Sequence, residues 1–231
     1  MSLPERQAEL VETHRAIQDA NLPYVLVGGW AITAYQTRFT TDVDVVLPST
    51  ALDDYDSLLT RLDYVKTSDS DVSNVYEGRI VCYEKAVGDH TVEFDALVDA
   101  LRCRQTNAEW SYRHLAEHSV TESLNVAPDL TAKIPEPALL FALKLHSGRR
   151  ADARDLVVIG TEADFDRVEH HLHRGDLTNL EGQIERVLGQ LTSDGFEDSF
   201  KGVFRQEQLP EPDLEAVTRF LRRQLDGGLT S

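Results

Sequence analysis

Cysteine, lysine and long apolar runs are what this chain has least of. Cys82 and Cys103 are the only cysteines. They are far apart and belong to no C-x-x-C pattern, which excludes a disulfide framework and a zinc ribbon; two reduced thiols in or near a core are expected. No apolar run approaches the roughly 20 residues of a membrane helix. The first turns of the sequence are polar and acidic (Glu5, Arg6, Glu9, Glu12), so no signal peptide is read there and a cytoplasmic location is expected. Lysine occurs only 5 times against 18 arginines. There is no internal repeat, low-complexity stretch or long linker.

Acid is what the chain has in excess. Asp and Glu number 40 against 23 basic residues, for a net charge of −17. Many acids and few lysines are the surface bias of halophilic proteins. In concentrated salt, screening shrinks charge repulsion to a few ångströms and a charged surface stays hydrated. A broad nucleic-acid footprint would be basic, so any RNA contact must be local.

The 231 residues suffice for one large domain or two modest ones. Periodicity predicts a helix over 5–20, with Leu10, Val11, Ala16 and Ile17 on one apolar face, ended by Asn21-Leu22-Pro23. Tyr24-Val25-Leu26-Val27 reads as a buried strand, Gly28-Gly29 as a turn, and Trp30 onward as a helix start, with Trp30 packing beneath the glycines. Asp42 to Leu47 alternates acid and apolar before becoming wholly apolar, as a strand does when one face looks onto a site. A helix follows over 51–62. Segments 79–87 and 90–98, joined at Gly88-Asp89, predict a hairpin. In its second arm Val92, Phe94 and Ala96 point one way and Glu93, Asp95 and Leu97 the other.

After residue 100 strand signals become rare. A helix is expected over 107–118, and Pro128, Pro135 and Pro137 punctuate a connection. Helices are expected at 137–147, with proline in the first turn, and at 152–159, 162–173, 177–192 and 211–225. The fold class is α/β (α+β): a small mixed sheet flanked by helices in 1–105, then a mainly helical region in 106–231. His170, His171 and His173 do not share a point at helical spacing and read as a solvated face rather than a metal site.

The residues that carry chemistry come in a fixed order: Gly28-Gly29, then Arg38 to Asp44, then Glu93-Phe94-Asp95. Two residues apart on a strand, Asp42 and Asp44 project to one face and supply the hard oxygen ligands that magnesium prefers. A third carboxylate from a neighbouring strand, Asp95 first and Glu93 second, would let two ions bind a few ångströms apart. Glycines at a strand-to-helix turn admit phosphates to the backbone. Arg38 is read either as a surface ion pair or as a bidentate phosphate ligand. Thr40 is read mainly as a turn or cap.

Val27-Gly28-Gly29-Trp30-Ala31 followed by Arg38-x-Thr40-x-Asp42-Val43-Asp44 resembles the polymerase-β-type nucleotidyltransferase superfamily. More narrowly it resembles the stand-alone branch that includes the abortive-infection toxin-type enzymes, whose later helix bears a lysine before an arginine-rich R-D-L segment. Here these would be Lys144, Arg149-Arg150 and Arg154-Asp155-Leu156. The resemblance covers about 24–160. It implies Gly28 and Gly29 at the triphosphate of an NTP, with Arg38 and Thr40 nearby, Asp42, Asp44 and Asp95 on Mg2+, and Lys144 approaching the nucleotide. It also implies transfer of a nucleotide to RNA such as tRNA, to protein or to a small molecule, and, for a toxin role, a cognate antitoxin. A non-catalytic nucleotide- or partner-binding module is the alternative, as is an enzyme modifying aminoglycoside-like small molecules. Many members of the superfamily have Gly-Ser where this chain has Gly28-Gly29, so a hydroxyl able to bind phosphate is missing here.

Overall fold

The computed structural model describes residues 3–38, 40–72 and 76–228, so Phe39 lies outside them. The chain divides into two compact units, Met1–Arg102 with Trp110–Pro135, and Cys103–Glu109 with Glu136–Ser231. The stretch 110–135 thus belongs with the first unit, where composition alone puts it with the helical half.

In the first unit, helix α1 (Leu3–Asp19) precedes β1 (Val25–Val27), the five-residue α2 (Gly28–Ile32) and β2 (Asp42–Leu47). A 3-10 turn (Ser49–Ala51) leads into α3 (Leu52–Arg61), followed by β3 (Val65–Val72), β4 (Tyr76–Val87) and β5 (His90–Val98). Then come β6 (Ala100–Cys103), β7 (Ala108–Ser111), α4 (Tyr112–Glu117), β8 (Ser119–Leu124) and β9 (Ala127–Pro135). The main sheet runs β1-β2-β5-β4-β6-β7, with β3 also on β4; β8 and β9 form a separate antiparallel pair. The β2–β5 pair is parallel, whereas β1–β2, β4–β5 and β3–β4 are antiparallel, so the sheet is mixed as expected.

Alternation makes this sheet two-faced. Val43, Val45, Val92, Phe94, Ala96 and Tyr83 are buried on one face. There Tyr55 of α3 stacks on Phe94 with ring centroids 6.0 Å apart, and Glu9 of α1 pairs with Lys85 of β4 at 2.6 Å. With α1 and α3 over the apolar face, the acidic residues of the same strands are left on the other.

Among the described residues, strands β6 to β9 lie from Ala100 onward, where strand signals in the sequence are rare. The helix expected over 107–118 resolves into β7 and the single-turn α4, capped by Ser111 accepting from His114 N–H at 3.2 Å. The prolines at 128 and 135 sit inside and at the end of β9, whose neighbour β8 pairs it in register from Ser119↔Pro135. Neither arm of that hairpin alternates regularly between buried and exposed residues, which masks its period.

The second unit contains α5 (Pro137–Ser147), α6 (Arg150–Gly160), α7 (Phe165–Leu172), α8 (Leu177–Leu191), α9 (Phe196–Phe204) and α10 (Glu211–Gly227). Helix α5 is buried on every side from Ala138 to Ser147, which explains its nearly unbroken apolar sequence. It starts with Pro137 in the first turn and stops at Gly148, whose φ of 57° is left-handed. Phe141, Phe165 and Phe220 join α5, α7 and α10, with Phe165 and Phe220 stacked at 4.7 Å. Helix α9 was not expected; its Phe196, Phe200 and Phe204 are buried at helical spacing, but Gly195 and Gly202 weaken the sequence signal.

His14 in the first unit and His146 in the second are buried among neutral hydrogen-bonding partners. In the first, His14 meets the Thr131 carbonyl and the Tyr24 hydroxyl; in the second, His146 meets the Thr106 hydroxyl at 2.7 Å and the Leu172 carbonyl at 2.8 Å. Burial pulls both pKa values down from 6.5 to about 4. The unfolded chain therefore binds protons that the folded chain refuses. Stability is complete above pH 6.5 and is lost as pH falls toward 4, by about 2 kcal/mol per histidine at pH 5. Urea unfolding at pH 7 and pH 5 should show this fall in both units, and equal midpoints would contradict it.

Candidate active site

The site begins with a register. Strand β2 enters at Asp42 and runs parallel to β5, placing Asp42 opposite Glu93 and Asp44 opposite Asp95. Strand β4 continues both rows, with Glu84 opposite Glu93 and Cys82 opposite Asp95. The face turned away from α1 and α3 therefore carries two cross-strand rows, Asp42-Glu93-Glu84 and Asp44-Asp95-Cys82. Cross-strand neighbours on one face lie about 5 Å apart at Cβ, close enough for charges to interact strongly.

Electrostatics follow from that crowding. Burial raises the Asp95 carboxyl above the usual carboxylate range, and the Asp42 and Glu84 charges raise it further, while the Cys82 thiol works in the opposite direction. Glu93 is raised by burial and by Asp95, Asp42 and Glu84. Cys82 is pushed up to about 11, chiefly by burial, so its thiol stays protonated at neutral pH. Asp44 is the most enclosed of the β2 carboxylates, at 8% exposure. Asp95 and Glu93, partly desolvated and raised by neighbouring negative charge, belong to a donor set that a hard divalent cation would relieve.

The glycine turn closes one edge of this face. Val27, the last residue of β1, lies opposite Asp44, so the chain turns into α2 beside that carboxylate. Gly28 has φ +65°, and a Cβ placed on it would fall 1.9 Å from Asp44 Oδ2. Only glycine leaves room for Asp44 in this conformation. A Cβ on Gly29 would lie 3.1 Å from Thr40 Oγ1 and 3.5 Å from Arg38 Nη2. Arg38 and Thr40 therefore flank the same turn. The Thr40 hydroxyl donates to Asp42 Oδ1, a more specific duty than closing a turn. Trp30 is buried below the glycines and stacks on His14 at 6.2 Å.

Lys144 is in the second unit, on α5. It is 4% exposed, and its ammonium donates to Asp152 Oδ1 at 3.1 Å and Asp155 Oδ2 at 2.8 Å. Asp152 also accepts from the Ser147 hydroxyl and the Arg149 guanidinium, each at 2.8 Å. Burial alone would raise the Asp152 carboxyl; Lys144 and Arg149 overcome it and hold the group well below the usual range. Asp155 thus forms a buried ion pair with Lys144. Of the three histidines, His171 is buried against Glu136 at 3.0 Å and His173 bonds Gln224 at 3.1 Å, so two have separate partners.

Sequence reasoning passed over Glu84 and Cys82. The signal was present: with a two-residue turn at Gly88-Asp89, counting back from Val87↔His90 arrives at Glu84↔Glu93 and Cys82↔Asp95.

No family model and no curated protein matches the sequence. Among solved structures, the antibiotic-resistance factor ANT(2'')-Ia aligns at 14% identity over 72% of this chain and 88% of its own, with a TM-score of 0.49. JHP933 from Helicobacter pylori aligns at 14% identity over 98% of this chain and 96% of its own, with a TM-score of 0.48. The lincosamide antibiotic adenylyltransferase LnuA aligns at 14% identity over 68% of this chain and 97% of its own, also at 0.48. At such low identity and score, the chemistry of this chain is read from its own residues.

Proposed function

We propose that the chain is a magnesium-dependent nucleotidyltransferase that moves a nucleoside monophosphate from an NTP to an acceptor hydroxyl. The observation that carries this reading is the register of Asp42 and Asp44 against Glu93 and Asp95, beside a glycine turn that touches Asp44. Asp42, Asp44 and Asp95 would hold the metal. Mg2+ there supplies charge neutralisation at the triphosphate and a more acidic acceptor hydroxyl. The Gly28-Gly29 backbone and Arg38 receive phosphate oxygens. Thr40 fixes the orientation of Asp42.

In the reaction the acceptor oxygen forms a bond to the α-phosphorus and the bond to the bridging oxygen breaks in line. Pyrophosphate leaves with the electron pair. Glu93, which lies on this face between Asp42 and Glu84, takes the acceptor's proton. Positioning and charge do most of the work in this chemistry. Lys144 stays outside this assignment, because its charge is already shared by two buried carboxylates.

Two acceptor classes follow from different observations. The resemblance to toxin-type enzymes points to RNA such as tRNA, or protein, with a cognate antitoxin as partner. The acidity of the chain and the extra carboxylates of Glu93 and Glu84 favour a cationic small molecule of the aminoglycoside kind. NTPs labelled at the α-phosphate, incubated with Mg2+ and tRNA, protein or aminoglycoside acceptors, decide between them. One class should become labelled, and Asp44→Asn should reduce labelling at least about 100-fold. Thermal stabilisation by NTP with no label transferred to any class would instead make the chain a non-catalytic nucleotide-binding module.

A further inference from the structure

We propose that the second unit holds a site for one hydrogen phosphate ion, built from Arg150 and Arg154 of α6 and Ser199 of α9. The site is a cavity of about 80 Å3 lined by those three residues with Gln190, Ser193 and Phe196. A water molecule takes about 30 Å3 in the liquid, so this space suits a single tetrahedral oxyanion and is too small for a nucleoside. It uses no residue of the first unit and does not depend on the metal reading. The arginines carry the inference. Arg149, Arg150 and Arg154 all follow Lys144 in the motif. Arg149 is spent on Asp152 at 2.8 Å. Arg150 and Arg154 stand four residues apart, on one face of α6. Arg150 is exposed and has no hydrogen bond or ion pair among the described residues, in a chain with 40 acidic side chains. Its place in the first turn of α6 works against the helix dipole, so helix stability does not explain it. No carboxylate among the described residues lines the cavity. Asp194, Glu197 and Asp198 lie in the adjoining segment but outside the lining, and Glu197 pairs with Lys201 at 2.8 Å. Two guanidiniums lining a space without carboxylates suit an oxyanion, whose oxygens match their fork of donors.

The remaining groups select the anion. Arg154 Nη1 donates to Ser199 Oγ at 2.6 Å, which leaves the serine its own proton to donate. Ser193 gives its proton to the Gln190 carbonyl at 2.8 Å and shapes the wall. The Gln190 amide oxygen is buried with no hydrogen-bond partner among the described residues. A buried acceptor of this kind calls for a donor. Hydrogen phosphate meets both demands: its oxygens accept from the two guanidiniums and Ser199, and its P–OH donates to Gln190. Sulfate has the same shape but carries no proton at neutral pH.

The test is isothermal titration calorimetry of the full chain with inorganic phosphate at pH 7, with ionic strength held constant by potassium chloride. Wild type should bind a single phosphate. Arg150→Gln should weaken binding at least about tenfold, because it removes charge-assisted hydrogen bonds to the ion and no contact within the folded chain. Arg219→Gln, which removes an exposed arginine of α10, should stay within about twofold of wild type. Sulfate should bind wild type at least about threefold more weakly than phosphate. Absence of phosphate binding by wild type at millimolar concentration overturns the inference. So does unchanged binding in Arg150→Gln, or a loss there no larger than in Arg219→Gln. Sulfate binding as tight as phosphate overturns the assignment to hydrogen phosphate. Nucleotidyl transfer by the first unit stands or falls separately, on the labelling experiment.

Discussion

Replacing Lys144 with methionine is expected to destabilise the second unit by about 3–5 kcal/mol, the cost of removing one partner from a buried ion-pair network. Methionine is unbranched and only one atom shorter, so it keeps most of the packing on α5 and what is lost is chiefly the charge. Asp152 retains Ser147 and Arg149, whereas Asp155 loses an ammonium at 2.8 Å in a setting that is almost wholly buried. Adding Asp155→Asn to Lys144→Met should therefore recover much of the loss, a coupling that a double-mutant cycle reads directly. Urea midpoints of the four proteins make the measurement. A Lys144→Met variant with unchanged midpoint but weakened NTP binding would return Lys144 to the nucleotide, the role its place in the motif order suggests.

Gly28→Ala should be as damaging to the reaction as loss of Asp44 itself, reducing transfer at least about 100-fold. The new Cβ would stand 1.9 Å from Asp44 Oδ2 and 2.8 Å from its Cγ, on a backbone with φ +65°. Something must move, and Asp44 is the side chain in the way. On Gly29→Ala the nearest atoms are Thr40 Oγ1 at 3.1 Å and Arg38 Nη2 at 3.5 Å, so a shift of a few tenths of an ångström suffices and activity should stay within about tenfold of wild type. The contrast separates two roles. If both glycines served only the approach of phosphate to backbone, their alanine variants would lose activity alike. Transfer rates for the two variants, with thermal midpoints as a control on folding, decide this.

Much of the first unit was legible because local pattern and tertiary need agree there. Asp42 and Asp44 alternate with buried valines, and the Gly88-Asp89 turn fixes the β4–β5 register within two residues of sequence. The parallel pairing of β2 with β5, which sets Asp44 against Asp95, is a long-range event that no local period encodes. The same holds for Lys144. Its helix was plain from proline and apolar run, but its partners belong to the next helix, where helix packing alone places them. The β8–β9 pair escaped notice because its strands do not alternate regularly, and prolines at 128 and 135 argue locally against a strand. Gly28 was read as an entry for phosphate; its close contact with Asp44 follows from the β1–β2 register and was invisible before it.

The most direct test of the metal site is a Mn2+ titration of wild type, Asp42→Asn, Asp44→Asn and Asp95→Asn at about 1 M monovalent salt, where the Debye length is about 3 Å and loose binding to an acidic surface is suppressed. Wild type should retain tight Mn2+ binding that Mg2+ displaces, and each asparagine variant should lose it. Binding that is unchanged across all four proteins would mean that the ion merely decorates a surface with a net charge of −17, and would contradict the assignment of these three carboxylates.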